Sequence, residues 1–220
     1  SFEKYLNRYG VVPDESPVIF TNNSSTFSLL KSLTDLGHKP KAYVDVRDQK
    51  SIEKETVDLL EKFNIPFYPK SEIEGCEGQK EVKKVSIRTK KNQISKIKTS
   101  MLCVSGGFNP DIHLFTQSKG LLKWDKDHLT FKPDRIFQKT ITLGSVSGNF
   151  SYEKLLVEVE KKLSEFEGLN ELEVKFELNG PEKFQIKELW ETKHEKKSLW
   201  SKSFIDLQND VTTKDLRQAV

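Results

Sequence analysis

The chain has 220 residues, with 36 Lys and Arg set against 33 Asp and Glu for a net charge of +3. Charges of both signs are mixed along its length, which argues against a nucleic-acid binder, whose basic residues cluster. No stretch approaches the length of a membrane span, and no metal-ligand or CxxC spacing joins the two cysteines, Cys76 and Cys103.

Phe2 to Tyr9 reads as the end of a helix, stopped by Gly10 and Pro13. Pro17 to Thr21 is a strand around Val-Ile-Phe. Asn22-Asn23-Ser24-Ser25 offers N-cap residues for a helix from Thr26 to Leu36, with Phe27, Leu30, Leu33 and Leu36 as its apolar stripe and Gly37 as its stop. Lys41 to Val46 is the next strand. Together these form a βαβ unit with an expected right-handed crossover. The unit resembles half of a Rossmann fold, and Asp45 falls where a ribose-binding acid sits. Its first turn reads Thr-Asn-Asn-Ser-Ser instead of Gly-x-Gly-x-x-Gly. That leaves two readings: an altered nucleotide site using Asn22, Asn23 and Ser24, or, favoured here, a module that has lost its ligand.

Ser51 to Asn64 is the following helix, with Ser51 as N-cap and Val57, Leu60 and Phe63 at core spacing. Ile65 to Tyr68 is a short strand between prolines. Ser71 to Gln79, which includes Cys76, reads as a polar loop. A Lys-rich hairpin follows, with Val85 and Ile87 facing Ile94 and Ile97 across a turn at Lys91-Asn92. Met101 to Val104 is a buried strand carrying Cys103, and it ends in Gly106-Gly107, where the absence of a Cβ lets a ligand approach closely. Asp111 to Ser118 forms a short helix whose His113 reads as structural. Leu121 to Trp124 is a strand before an Asp125-Lys126-Asp127 turn, and Phe131 to Phe137 has mixed character. Thr140 to Leu143 is expected as a strand breaking at Gly144 and Gly148 into a helix from Ser151 to Phe166. Strand, glycine turn and helix is a phosphate-binding geometry, though glycine turns of this kind also arise for steric reasons alone. Glu171 to Trp190 alternates as a strand pair, Glu191 to Lys197 is a charged linker, and a new element opens at Ser203 with a helix starting near Lys214. Fourteen Phe against one Met point to an aromatic core. The lack of an initial Met and the helical pattern at the last residues read as cut ends, so a fragment of a longer polypeptide is expected. With neither a signal peptide nor a span, it is expected in the cytoplasm.

Several blocks carry a family resemblance. They are Tyr-Leu-Asn-Arg-Tyr-Gly-Val-Val-Pro at residues 5–13, Phe-Thr-Asn-Asn-Ser at 20–24, and the run from Cys103 to Gly120 containing Ser-Gly-Gly-Phe-Asn-Pro. The fourth, Ser-Phe-Ile-Asp-Leu-Gln-Asn-Asp-Val-Thr at 203–212, is the most specific. The chain resembles the alpha subunit of heterotetrameric sarcosine oxidase. That resemblance implies an α/β fold, a Rossmann-like three-layer dinucleotide-binding module of the disulfide reductase type, followed by the start of a further small α/β domain. It divides the chain into a connecting helix at 1–13, an inserted Rossmann-like domain at 14–100, a resumed nucleotide-binding domain at 101–167, a strand pair and linker at 168–202, and the next domain from 203 to 220.

The resemblance also implies NAD as the ligand of this subunit. Gly144-Ser145 stands where FAD-binding relatives carry Gly-Asp, which argues against FAD here. Ser105, Gly106, Gly107, Gly144, Ser145, Ser147 and Gly148 are the positions carried over as lining the NAD site. A glycine-rich loop before residue 1 and a folate-handling domain beyond the last residue, a place for tetrahydrofolate, are expected. FAD and FMN belong to or are shared with the beta subunit, and gamma and delta subunits complete the complex. The implied chemistry is oxidative demethylation of sarcosine to glycine, with no catalytic residue and no metal ligand in this segment. The alternatives are a flavin-dependent NAD(P)H or disulfide reductase, disfavoured by the missing CxxC, and a non-catalytic scaffold. A piece of a complex is expected to expose apolar patches around Leu121 to Trp124 or Phe204 to Leu207.

Overall fold

A computed structural model describes residues 2–138, 140–149, 152–167, 185–189, 191–192, 203–206 and 210–219. The chain divides into two compact units, Ser1–Gly106 with Lys187–Val220, and Gly107–Ile186.

The first unit is built on four parallel strands: β1 (Val18–Thr21), β2 (Ala42–Asp45), β3 (Phe67–Pro69) and β7 (Leu102–Ser105), in the order β3-β2-β1-β7. β1 is the central strand. Val18 pairs with Ala42 on one side and Leu102 on the other, and Thr21 pairs with Asp45 and Ser105. The alternation of Val18, Ile19 and Phe20 sends side chains to both faces, so both must be covered. Ile19 and Tyr43 pack with Leu29, Leu30 and Leu33 of helix α2 (Thr26–Asp35) and with Leu60 of α3 (Lys54–Lys62). Phe2 of α1 (Phe2–Tyr9) joins that layer. On the other face, Val18, Phe20, Ala42 and Val44 pack against Ile73, Val85 and Ile87. These come from an antiparallel sheet of β4 (Glu72–Glu77), β5 (Lys84–Arg88) and β6 (Ile94–Lys98). The three layers are therefore helices, parallel sheet and antiparallel sheet.

Several expectations change. The segment expected as a polar loop from Ser71 to Gln79 contains strand β4, and Cys76 pairs there with Val85. An edge is available on β5, so even a Gly- and Glu-rich stretch is drawn into the ladder. The helix expected from Ser51 starts only at Lys54, preceded by a short turn of 3-10 helix at Gln49–Ser51 that Asp48 caps by accepting from the Lys50 N–H. Leu102–Ser105 is hydrogen-bonded to β1, so the first unit runs on to Gly106. The core is aliphatic more than aromatic. Its largest fully buried members are Tyr43, Ile19, Leu30, Leu33, Leu60 and Ile87, while Phe108, Phe131, Phe137 and Phe204 are exposed.

A hairpin of β10 (Phe204–Asp206) and β11 (Val211–Thr212) with helix α6 (Thr213–Ala219) also belongs to the first unit. The second unit contains helix α4 (His113–Gln117), the antiparallel ribbon β8 (Leu121–Asp125) and β9 (Thr130–Arg135), and helix α5 (Tyr152–Glu167). The strand expected at Thr140–Leu143 does not form. β8 and β9 pair with each other, and the apolar run finds no strand partner among the described residues, so it leads unpaired into a 3-10 turn at Gly144–Ser147. The strand pair expected at Glu171–Trp190 falls mostly outside the described residues, as does most of the linker after it.

Candidate functional site: the carboxyl edge of the parallel sheet

In an open α/β sheet the ligand crevice lies beyond the carboxyl ends of the strands, where the strand order reverses. Here that point lies between β1 and β7, with β2 beside it. Asp45, Thr21 and Ser105 stand level with one another at this edge. The turn after β1 is buried: Asn22 is 5% exposed, Asn23 0% and Ser24 5%.

Asn23 is the hub of the turn. Its Nδ2 donates to Asn22 Oδ1 at 2.9 Å and to the Ser105 carbonyl at 3.1 Å. Its Oδ1 accepts from the Ser25 N–H at 2.9 Å and the Ser25 hydroxyl at 2.6 Å. Its backbone N–H donates to Thr21 Oγ1 at 3.1 Å, and its carbonyl accepts from Thr21 Oγ1 at 3.0 Å. Ser25 and Ser105 share a hydroxyl contact at 2.9 Å. This Asn-Asn-Ser-Ser turn thus joins the ends of β1 and β7 through side chains, where a glycine turn would leave its N–H groups facing outward.

Asp45 is fully buried and is held by Arg47, whose own side chain is 3% exposed. Arg47 donates from its backbone N–H and Nε to Asp45 Oδ1 at 2.7 and 3.1 Å and from Nη2 to Oδ2 at 2.8 Å. The same guanidinium donates to the Asn23 carbonyl at 3.2 Å, to Ser24 Oγ at 3.1 Å and to Glu53 Oε1 at 3.3 Å. Ser24 also bonds Glu53. Burial pushes the Asp45 carboxyl up from its ordinary value, and the Arg47 bonds and charge pull it back. Burial works against the Arg47 charge too, but Asp45 and Glu53 outweigh it and hold the guanidinium above its ordinary value. Tyr43, one residue pair away, shares a 2.7 Å contact with Thr26, and burial raises its hydroxyl well above the ordinary range.

A dinucleotide does not fit this edge. The carboxylate in the ribose position is consumed by Arg47, and the residues that replace the glycines spend side-chain polar atoms on Ser25, Arg47, Glu53, Ser105 and Lys187. Among the described residues Glu53 Oε2 has no hydrogen-bond partner, while its Oε1 is paired with Arg47 at 3.3 Å. Asn22, Asn23, Ser24 and Asp45 are brought together, but as a closed network. Sequence reasoning missed Arg47 and Glu53. The Asp-Val-Arg run at a strand end was the available signal, since residues two apart in a strand share a face.

The carried-over positions lie in their own units. Ser105 ends β7 with its hydroxyl and carbonyl taken by Asn23 and Ser25, Gly106 closes the first unit, and Gly107 opens the second at φ 107°. A Cβ on Gly107 would stand 2.7 Å from Ile186 Cδ1. In the second unit, Gly144 and Gly148 have φ of 69° and 87°, the left-handed region that glycine tolerates. Glu158 of α5 accepts from the Gly144 N–H at 3.3 Å, Ser147 Oγ at 3.2 Å and Asn149 Nδ2 at 3.3 Å. Ser145 closes the turn by accepting from the Gly148 N–H at 3.1 Å. Lys132 lies across Gly148, where a Cβ would meet its Cε and Nζ at 2.1 Å, and it pairs with Asp125 and His128. The second unit therefore brings Gly144, Ser147 and Gly148 together around Glu158 and Lys132, neither of which the sequence singled out. His113 opens α4 and is exposed.

Cys76 is exposed on β4 and Cys103 half-buried on β7, both as free thiols on strands of different sheets. Burial, with Asp14 adding to it, pushes the Cys103 thiol up to about 11. No group of His, Cys, Asp and Glu among the described residues is placed to hold a metal, and no described helix is long and apolar enough to cross a membrane.

No protein-family model matches the chain. It is 27% identical over 231 aligned positions to the sarcosine oxidase subunit alpha of Rhizobium meliloti strain 1021, an alignment covering 98% of this chain and 21% of that protein. It is 26% identical over 152 positions to the sarcosine oxidase subunit alpha of Corynebacterium sp. strain U-96, covering 67% of this chain and 16% of that one. The chain thus spans about a fifth of the length of the first of these relatives. Among solved structures it superposes on the thioredoxin reductase of T. acidophilum with a TM-score of 0.51 at 18% identity, over 72% of this chain and 56% of that one. It superposes on LpdA from Mycobacterium tuberculosis with a TM-score of 0.53 at 10% identity, over 76% and 38%. Along nearly its whole length, then, this chain is similar to part of the alpha subunit of sarcosine oxidase, and it has the α/β fold of the pyridine nucleotide-disulfide reductases.

Proposed function

We propose that this chain is part of the alpha subunit of an amine-oxidising complex. The complex oxidatively demethylates sarcosine to glycine and releases peroxide with formaldehyde or methylenetetrahydrofolate. The observation that carries the reading is the alignment of 98% of the chain with a sarcosine oxidase alpha subunit. In this reading the segment supplies no catalytic group. It contributes to holding NAD and to the contacts with beta, gamma and delta subunits, while FAD and FMN reside in or beside the beta subunit.

NAD contact is assigned to Ser105, Gly106 and Gly107 and to Gly144, Ser145, Ser147 and Gly148, since glycine at these turns lets backbone approach a ligand. The Ser105 hydroxyl and carbonyl are already engaged, so its contribution is limited to other backbone atoms. The turn after β1 is assigned no nucleotide. A reductase using Cys76 and Cys103 as a dithiol is disfavoured by their placement in different sheets. The scaffold reading is favoured for the first unit by its closed polar network.

Denaturing the complex formed by the full-length subunit and its partner subunits, and identifying the released nucleotides by mass spectrometry, tests the proposal. NAD together with flavins is the expected result. Flavin bound to this subunit alone, with NADH oxidation, would replace it with the reductase reading.

A further inference from the structure

The carboxyl edge of the first unit is closed a second time, from outside. Lys187 donates its backbone N–H to the Asn22 carbonyl at 2.8 Å, and its own carbonyl accepts from Asn22 Nδ2 at 2.8 Å. Its Nζ donates to the Val46 carbonyl at 3.0 Å. Leu189 packs against the cluster of Val18, Phe20 and Val44. A segment 165 residues beyond Asn22 is thus fastened across the exits of β1 and β2.

The polarity of this edge is the reverse of a phosphate site. A pyrophosphate needs inward-pointing N–H donors, supplied by a glycine turn at a helix N-terminus. Here the groups that meet at the edge include the carbonyls of Asn22, Asn23, Val46 and Ser105. Two cations from the chain donate to two of them, the Arg47 guanidinium to Asn23 and the Lys187 ammonium to Val46, and the Lys187 backbone N–H donates to a third, that of Asn22. The side chain of Asn23 serves the fourth.

We propose that the nucleotide crevice of the first unit is permanently occupied by the chain itself. Arg47 fills it from inside and the Lys187–Leu189 strap covers it, so the turn after β1 and the end of β2 take no dinucleotide. This goes beyond the assignment of NAD to the glycine turns, and the two can fail separately.

The test uses the full-length subunit in its complex. It is photolabelled with an azido derivative of NAD, with excess NAD as competitor, and the labelled peptides are mapped. Label is expected outside residues 20–26 and 44–53. Competed label within those stretches overturns the sealed crevice. The absence of competed label anywhere overturns the NAD assignment and leaves the sealed crevice standing. Hydrogen exchange tests the strap. The double variant Asn22→Ala, Lys187→Ala is expected to speed exchange of the amides from Thr21 to Ser25 at least about tenfold, because it removes two of the three hydrogen bonds that fasten their outer cover, with nucleotide content unchanged. Exchange as slow as in the parent protein would overturn the strap.

Discussion

Arg47→Ala removes the guanidinium donors that hold a carboxylate with no solvent exposure. Removing one partner of a buried pair costs about 3–5 kcal/mol because the other charge is left unpaired. Urea denaturation should show that loss. Arg47→Lys should recover only part of it, since an ammonium cannot make the forked contact to both Asp45 oxygens. Asp125 gives a pH-dependent counterpart in the second unit. Burial alone would raise its carboxyl, but Lys132 and the backbone N–H groups of Asp127 and His128 hold it at about 2. A carboxyl depressed on folding stabilises above its unfolded value of about 3.9, and that contribution fades as pH falls from about 4 toward 2. Thermal melts across this window should show the loss, and Asp125→Asn should flatten it. Among the thiols, iodoacetamide at pH 8 should modify exposed Cys76 well before Cys103, which burial keeps protonated.

At the level of elements, strand β1 contributes to both core clusters of the first unit, and helix α2 packs Leu29, Leu30 and Leu33 against one of its faces. Leu30 and Leu33 have no exposure, so Leu30→Ala should destabilise by about 2–5 kcal/mol in the same denaturation experiment. These elements were legible in the sequence because their patterns are local: Val-Ile-Phe, then Leu at helical spacing; the Asn-Ser run expected to cap α2 makes no side-chain cap bond there and instead reaches Ser105. Asp45 was legible in position and misleading in role, since a strand-end acid looks the same whether it awaits a ribose or is already held by Arg47. The strap at Lys187 left no local signal, because its partner lies 165 residues away. Thr140–Leu143 failed as a strand for a related reason: β-branched residues fit a pleated sheet only where an edge is offered. Cys76 went the other way, recruited into β4 by the free edge of β5 despite neighbouring glycine and glutamates.

Across the whole molecule, the ribbon of β8 and β9 turns an unusual face outward. Trp124 and Phe131 are cross-strand partners in an edge-to-face contact at 5.1 Å, and they are 42% and 52% exposed, with Leu121 at 43%. The opposite face carries Lys132, Asp125 and the buried Thr130. Apolar exposure was expected near Leu121 to Trp124 and is found there; at the second expected patch Phe204 and Ile205 are exposed, and Leu207 lies outside the described residues. Sedimentation velocity on the isolated chain should show concentration-dependent self-association, relieved by Trp124→Glu with Phe131→Lys.

Under the proposed function this chain is a nucleotide-fold part of an amine-oxidising assembly that does its chemistry elsewhere. Peroxide production by the complex of the full-length subunit with its partners, with sarcosine as the varied substrate, tests that most directly. Sarcosine-dependent peroxide is the predicted result. An assembled, flavin-loaded complex that oxidises NADH and gives no peroxide with sarcosine would contradict it.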